Sequence, residues 1–233
     1  MLTLHQYNQS PFNQKIQRML NYKGVPFEEV YWRIADRSKV LKVSPSGKLP
    51  ALEHDGKVIV DSTDMAYYIE KTFPEHPLVP SSPKQRGLVH AIEDWADESL
   101  YFYEMTLRFT TPGNSERNVP KLIANESPAL RWVLKRVIPR LLRKSTSNQG
   151  IGRKSIEQLT SDTRRHIEAV ANMLGQDDWL IANRLTLADL AVYAMFQCFR
   201  DADFVAAMLA EYTTVTAWMT RIEANTSTRA TAS

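Results

Sequence analysis

Cysteine is nearly absent from this chain of 233 residues, in which Cys198 is the only one. A single thiol excludes an intrachain disulfide framework, a Cys-x-x-Cys redox pair and any multi-cysteine zinc site. Histidine offers no substitute. The five histidines are scattered with no pair three to five residues apart, so no metal site is expected. Long apolar runs are missing as well: the longest uncharged apolar-rich stretch, Leu190 to Phe199, is about ten residues where a membrane span needs roughly twenty. The opening MLTLHQYNQS has neither the basic start nor the apolar core of a secretory signal. Neither sign of charge dominates, and the formal net charge of +3 is too small to argue for a nucleic-acid partner. At 43% apolar and 24% charged residues, low-complexity, collagen-like and wholly disordered chains are excluded. What remains is a soluble globular protein, expected in the cytoplasm.

The first eighty residues mix strand and helix patterns. Leu2 to Tyr7 alternates as a strand, and Ser10-Pro11 opens a helix with Ile16, Met19, Leu20 and Lys23 on one face. Gly24 is placed to stop that helix. Phe27 to Trp32 reads as a second strand, followed by a polar loop from Ala35 to Ser46. Ala51 to Glu53 and Lys57 to Val60 flank the turn His54-Asp55-Gly56, a hairpin signal. Ser62 then caps a helix through about Thr72. Four prolines, at 74, 77, 80 and 83, mark a linker. Beyond them only helical periodicity appears, at 84–109, 129–144, 155–174, 187–200 and 203–223. The expected organisation is an α/β domain over 1–78, a linker over 79–84, an all-helical domain over 85–225 and a flexible tail over 226–233.

The anchors Tyr7-Asn8-Gln9-Ser10-Pro11-Phe12, Lys23 to Glu28, Ser44-Pro45-Ser46-Gly47-Lys48-Leu49-Pro50-Ala51-Leu52 and Asp61-Ser62 stand in order across the first domain. Leu185-Thr186-Leu187-Ala188-Asp189 follows in the helical half. Together they closely resemble the cytosolic glutathione transferases. The resemblance implies a thioredoxin-like domain followed by a helical bundle, glutathione as co-substrate without a metal, a small electrophilic second substrate and a homodimer.

By that resemblance Ser10 is the serine whose hydroxyl donates to the glutathione thiolate at a helix N-terminus, where an anion is favoured. An ordinary N-cap would explain the same residue, and Tyr7 is the rival donor. Phe12 belongs to the same glutathione-binding loop. Some relatives carry a cysteine at the position of Ser10 and sometimes a second at that of Asn13; neither is cysteine here, so disulfide exchange through a protein thiol is excluded. Leu49-Pro50 matches the family's cis-proline turn, where Leu49 can pair with the cysteinyl backbone of glutathione. Ser62 is expected to hold the γ-glutamyl carboxylate, with Asp61, shorter than the family's usual Glu, toward the α-amine. Lys48 matches a position near the glycyl carboxylate; Arg37 or Lys39 could assist, and the sequence does not choose. The segment from Gln85 to Phe109 holds Trp95, Tyr101, Phe102, Tyr103 and Phe109, of which Tyr101, Phe102 and Phe109 are taken as the acceptor pocket. One of Asp94, Asp97 and Glu98 could face the glutathione amine.

Thr186 and Asp189 have capping-box spacing, a folding feature. From Arg117 to Lys154 there are ten Lys or Arg against one acid, Glu126. The expectation is a helical pair broken at Pro139, packed on the bundle with a basic outer face, and membrane association is disfavoured. Gln149 to Lys154, with two glycines and no preceding strand, is a poor phosphate loop. Besides conjugation, two further functions fit: a non-catalytic transferase-like binding or regulatory protein, and reduction of peroxides or disulfides by glutathione itself.

Overall fold

The computed structural model describes residues 1–227. Its first part is a four-stranded sheet in the order β2-β1-β3-β4, built from β1 (Leu2–Gln6), β2 (Glu28–Tyr31), β3 (Ala51–His54) and β4 (Lys57–Val60). β1 runs parallel to β2 and antiparallel to β3, with Leu4 opposite Glu29 on one side and Leu52 on the other. An interior strand covered on both faces needs little polar alternation, and Leu2, Leu4, His5 and Gln6 are all buried. The β3–β4 hairpin closes through Asp55 (φ 48°) and Gly56 (φ 79°). Two left-handed residues match the twist of the flanking strands.

Helix α1 (Pro11–Lys23) begins with proline at its first turn and ends on Gly24 at φ 66°, whose N–H closes back on Leu20 and Asn21. Ile16, Met19 and Leu20 are fully buried and join Leu4, Leu52 and Met65 to Leu190, Phe196 and Trp218 in one core. The same helix reaches the chain's far end, where Arg18 donates to the Tyr193 hydroxyl at 2.9 Å and to Thr226 Oγ1 at 2.6 Å. α1 is therefore the pivot between the sheet and the helices that follow.

The region expected to be a polar loop is instead a 3₁₀ turn (Ile34–Asp36) and helix α2 (Arg37–Val43). Only Val40 of α2 is buried, so it shows no apolar stripe. α3 (Ser62–Thr72) completes the α/β part.

The single helix expected over 84–109 is broken into α4 (Pro83–Trp95), a π-helical turn (Ala96–Leu100) and α5 (Tyr101–Phe109). α6 (Asn114–Leu122) has no counterpart among the expected helices, and α7 (Pro128–Gln149) runs through Pro139 without splitting. The amide missing at Pro139 would have met the carbonyl of Lys135, an exposed residue, and solvent can replace it. α8 (Ile156–Leu174) and α9 (Leu187–Phe199) fall where periodicity places them, whereas the run over 203–223 divides at Glu211-Tyr212 into α10 (Asp203–Ala210) and α11 (Thr213–Thr226). The expected tail lies outside the described residues except for Thr226 and Ser227.

Asp189 organises the start of α9. Its carboxylate accepts from the Thr186 N–H (2.9 Å) and hydroxyl (2.6 Å), the Leu180 N–H (2.9 Å) and the Trp218 indole N–H (2.9 Å). Four donors offset the cost of burying this carboxylate completely. Among the described residues no helix is long and apolar enough to cross a membrane.

Candidate glutathione site

Ser10 precedes Pro11 with extended backbone angles (φ −93°, ψ 130°), the geometry of an N-cap. Its side chain nevertheless caps nothing, and among the described residues its hydroxyl makes no hydrogen bond. The half-buried hydroxyl thus stands free at the positive end of α1. Asn13 acts structurally instead, through an amide that donates to the Tyr7 carbonyl and pins the β1–α1 loop to the helix.

The loop is held from the helical side too. Gln9 lies at φ 67°, a backbone region that disfavours side-chain-bearing residues. Buried Arg108 of α5 donates to the Gln9 side-chain Oε1 at 3.0 Å and to its carbonyl at 3.4 Å. Arg108 is in turn paired with buried Glu104 and reaches Asp201 at 3.3 Å. Neither Arg108 nor Glu104 is among the residues the motifs single out; their i,i+4 spacing was the available signal, but charges on a helix are ordinarily solvated.

Tyr7 is half-buried beside the charges of Arg37, Asp36 and Glu126, and burial raises its phenol above the ordinary range. A phenol that holds its proton more tightly is a weaker donor.

At the opposite rim, α3 opens with Asp61 (φ 75°), whose carboxylate accepts the Thr63 N–H at 2.9 Å. Asp61 therefore caps its helix through Oδ1. Ser62 is buried and donates its hydroxyl to Asp97 Oδ2 at 3.2 Å. Of the three acids considered on this stretch, Asp97 is buried and Asp94 and Glu98 are exposed. Fully buried Lys15 bridges Glu93 at 2.7 Å and Asp97 at 2.5 Å, while Thr63 donates its hydroxyl to Glu93 at 2.7 Å. Two carboxylates share one ammonium, which leaves one negative charge without a partner. Burial accordingly pushes the Asp97 carboxyl up to about 6, with Lys15 opposing. Asp97 Oδ1 is buried and unpartnered among the described residues. Lys15 and Glu93 carry no local signal in the sequence, because they lie about eighty positions apart along it.

Between these rims the Leu49-Pro50 peptide is cis, immediately ahead of β3. Lys48 is exposed and only its backbone N–H is engaged, by Ser46 Oγ at 3.2 Å. Gly47 (φ 69°) lies under the Arg37 guanidinium, where a β-carbon would come within 2.9 Å of Nη1. Arg37 makes no ion pair among the described residues, whereas Lys39 pairs with Asp36 at 3.5 Å. The geometry thus separates two cations that the sequence could not rank.

The aromatic residues divide. Phe12 packs on Tyr101 with centroids 4.7 Å apart, and Tyr101 on Phe102 at 5.3 Å, all three half-buried. Ile34, Leu122 and Leu134, like Tyr101 and Phe102, pack against the smaller core cluster of Met105, Phe109, Val119, Ile123 and Ile138. Phe109 is buried inside that cluster, and Trp95 (tilted) and Tyr103 (edge-on) pack on His166. Phe12, two residues after Ser10, thus continues into an aromatic run with Tyr101 and Phe102. Cys198 is buried and its thiol is pushed up by that burial.

A thioredoxin-like sheet with a cis-proline, a free N-cap serine and a second helical half define a glutathione-transferase-like protein. Residues 4–77 match the glutathione S-transferase N-terminal domain model and residues 129–225 the C-terminal domain model. Glutathione S-transferase U6 of Arabidopsis thaliana is 34% identical over 93 residues, 39% of this chain; the match spans only 42% of that protein's length. Protein LigF of Sphingobium sp. is 24% identical over 215 residues, covering 83% of this chain and 78% of LigF. The isoprene-epoxide glutathione S-transferase of Rhodococcus sp. is 24% identical over 196 residues, covering 82% and 81%. The crystal structure of the beta-etherase LigF shares the fold at a TM-score of 0.69, with 96% and 95% of the two chains covered. The chain belongs to the cytosolic glutathione S-transferase family.

Proposed function

We propose that this protein conjugates the thiol of glutathione to a small, largely apolar electrophile. The observation that carries this reading is the Ser10 hydroxyl, which sits at the N-cap of α1 yet caps nothing and so is available to a ligand. Donating to a thiolate there lowers the thiol's pKa, because both the hydrogen bond and the helix end favour the charged form. The anchors follow the ends of the tripeptide. The positive end of α3, where Asp61 takes up only the Thr63 N–H, and the buried Ser62 suit the γ-glutamyl carboxylate, and the uncompensated charge at Asp97 suits its ammonium. Leu49 offers backbone pairing to the cysteinyl residue, and Arg37, with Lys48 beside it, suits the glycyl carboxylate. Phe12, Tyr101 and Phe102 form an apolar wall for the electrophile, held near the thiolate so that a bimolecular step becomes local.

Two relatives have names that concern electrophiles of this kind, an isoprene epoxide and a beta-ether. Attack by glutathione on electrophiles of this kind would need an activated thiolate, and the aromatic run here suits an aryl or alkenyl substrate. The protein acts as a cytoplasmic homodimer of two-domain subunits joined through residues 79–84. Reduction of peroxides or disulfides would have to use glutathione alone, since Cys198 is buried with a raised pKa.

The test is Ser10→Ala beside Tyr7→Phe, with turnover and thiolate absorbance of the glutathione complex measured against pH. Ser10→Ala should cut kcat by about 10²–10³ with little change in glutathione affinity, and shift thiolate formation to higher pH. Unchanged turnover in Ser10→Ala with a loss in Tyr7→Phe would transfer the role to Tyr7. Glutathione binding without turnover on any electrophile would favour the binding-protein reading, which the capping use of Asp61 makes the next best.

A further inference from the structure

Helix α7 carries charge and apolar surface that the glutathione site does not use. All eight charged residues between Ser127 and Ile156 are Lys or Arg. None of the six on α7 pairs with a carboxylate among the described residues, whereas surface cations such as Arg33, Arg164 and Arg221 do. Arg136 and Arg140 instead donate to carbonyls of their own helix, at 2.8 and 3.0 Å, and Arg143 to the Thr110 carbonyl at 2.7 Å.

Apolar side chains share this outer face. Ile138 and the neighbouring Leu134 and Leu142 pack inward on α5 and α6. Val133, Val137 and Leu141, one turn apart, are 43%, 37% and 59% exposed, and Trp132 is 63% exposed beneath the Arg136 guanidinium at 4.0 Å. The face expected to be simply basic thus also turns apolar side chains to solvent. An exposed tryptophan and three aliphatic residues along one helix call for a cover.

The sign of the charge narrows that cover. A second copy meeting this face with its own α7 across a two-fold axis would set six unpaired cations against six. Charge complementarity favours an anionic partner, and its apolar part must accept a convex helix lying flat, about 33 Å long at about 1.5 Å per residue. A lipid surface meets this without a matching groove: the aliphatic stripe and indole enter the headgroup boundary while Lys and Arg reach up to phosphates. We propose that the outer face of α7 docks on an anionic lipid bilayer. The docking is peripheral and stands independently of the glutathione reading.

The experiment is co-sedimentation of the full chain with phosphatidylcholine vesicles, and with vesicles containing about one third phosphatidylglycerol, over a range of salt. Wild type should pellet with anionic vesicles only, and less as salt rises. Arg136→Glu/Arg140→Glu should reduce partitioning about tenfold or more. Trp132→Ala/Leu141→Ala, which leaves the charge unchanged, should reduce it severalfold. Circular-dichroism melts of both variants should match wild type because all four side chains are exposed. Absence of pelleting at low salt overturns the proposal, as does wild-type binding by the Trp132→Ala/Leu141→Ala variant. Retention on polyglutamate with no vesicle binding also overturns it, in favour of an acidic protein.

Discussion

Arg108 Nη2 lies 3.0 Å from Gln9 Oε1, so a side chain of α5 holds the loop that presents Ser10. The contact links the helical half to the most exacting part of the sheet half, where Gln9 sits at positive φ. Arg108→Met should destabilise the fold by about 3–5 kcal/mol, because Glu104 would be left buried without its cation. Urea unfolding measures this. A loss below about 1 kcal/mol would mean that the pair behaves as a surface one.

Asp97 should make both stability and ligand binding depend on pH. Its carboxyl is raised to about 6 in the folded chain, against about 4 for an unperturbed aspartate. The folded state then holds this proton more tightly than the unfolded one. Its contribution to stability is complete below about pH 4 and lost as pH rises through about 6. Asp97→Asn should flatten that part of the stability curve, read as urea midpoints across the range. Glutathione affinity should move the other way in wild type, weakening as pH falls through about 6 and the charge that pairs with the amine disappears. A midpoint curve unaltered by Asp97→Asn would refute the assignment.

Asp189→Ala should weaken the fold while leaving the chemistry of folded molecules intact. It removes acceptors from Thr186, Leu180 and the Trp218 indole at once, leaving buried donors unsatisfied at about 1–3 kcal/mol each. The expected result is a sharply lower Tm with unchanged kcat/KM per active site. A retained Tm contradicts it.

Gly152→Ala tests the close packing after α7. A β-carbon at Gly152 would lie 2.7 Å from the Ser147 backbone nitrogen and closer still to Thr146 Oγ1. Backbone cannot yield as a flexible side chain does, so overpacking should cost about 1–3 kcal/mol or more. Differential scanning calorimetry should show the drop, and an unchanged Tm would mean the turn relaxes freely.

Local signals carried the parts of the fold that local physics determines. Ser10-Pro11 and Gly24 bracket α1 because proline suits a first turn and glycine a left-handed stop. Asp55-Gly56 makes the hairpin for a similar reason. Elsewhere tertiary context decides. α2 buries only Val40, so its sequence looks like a loop. The π turn at Ala96–Leu100 resets the helical face without altering composition, which is why one periodic run became three pieces. At the site, the motif residues were readable singly. What joins them was not: Lys15, Glu93 and Asp97, or Arg108 and Gln9, meet across the two halves, and a charge's burial cannot be read from its neighbours in sequence.

A tripeptide site between Ser10, Leu49 and the Ser62–Asp97 pair stands or falls by calorimetry. Wild type, Ser62→Ala and Asp97→Asn would be titrated at neutral pH with reduced glutathione and with S-hexylglutathione. Both ligands should bind wild type saturably at micromolar to low-millimolar concentrations. Binding should weaken about tenfold or more in Asp97→Asn, where one charge-assisted contact is lost. No heat from either ligand, with an unchanged Tm in their presence, would contradict such a site and leave a transferase fold without its cofactor.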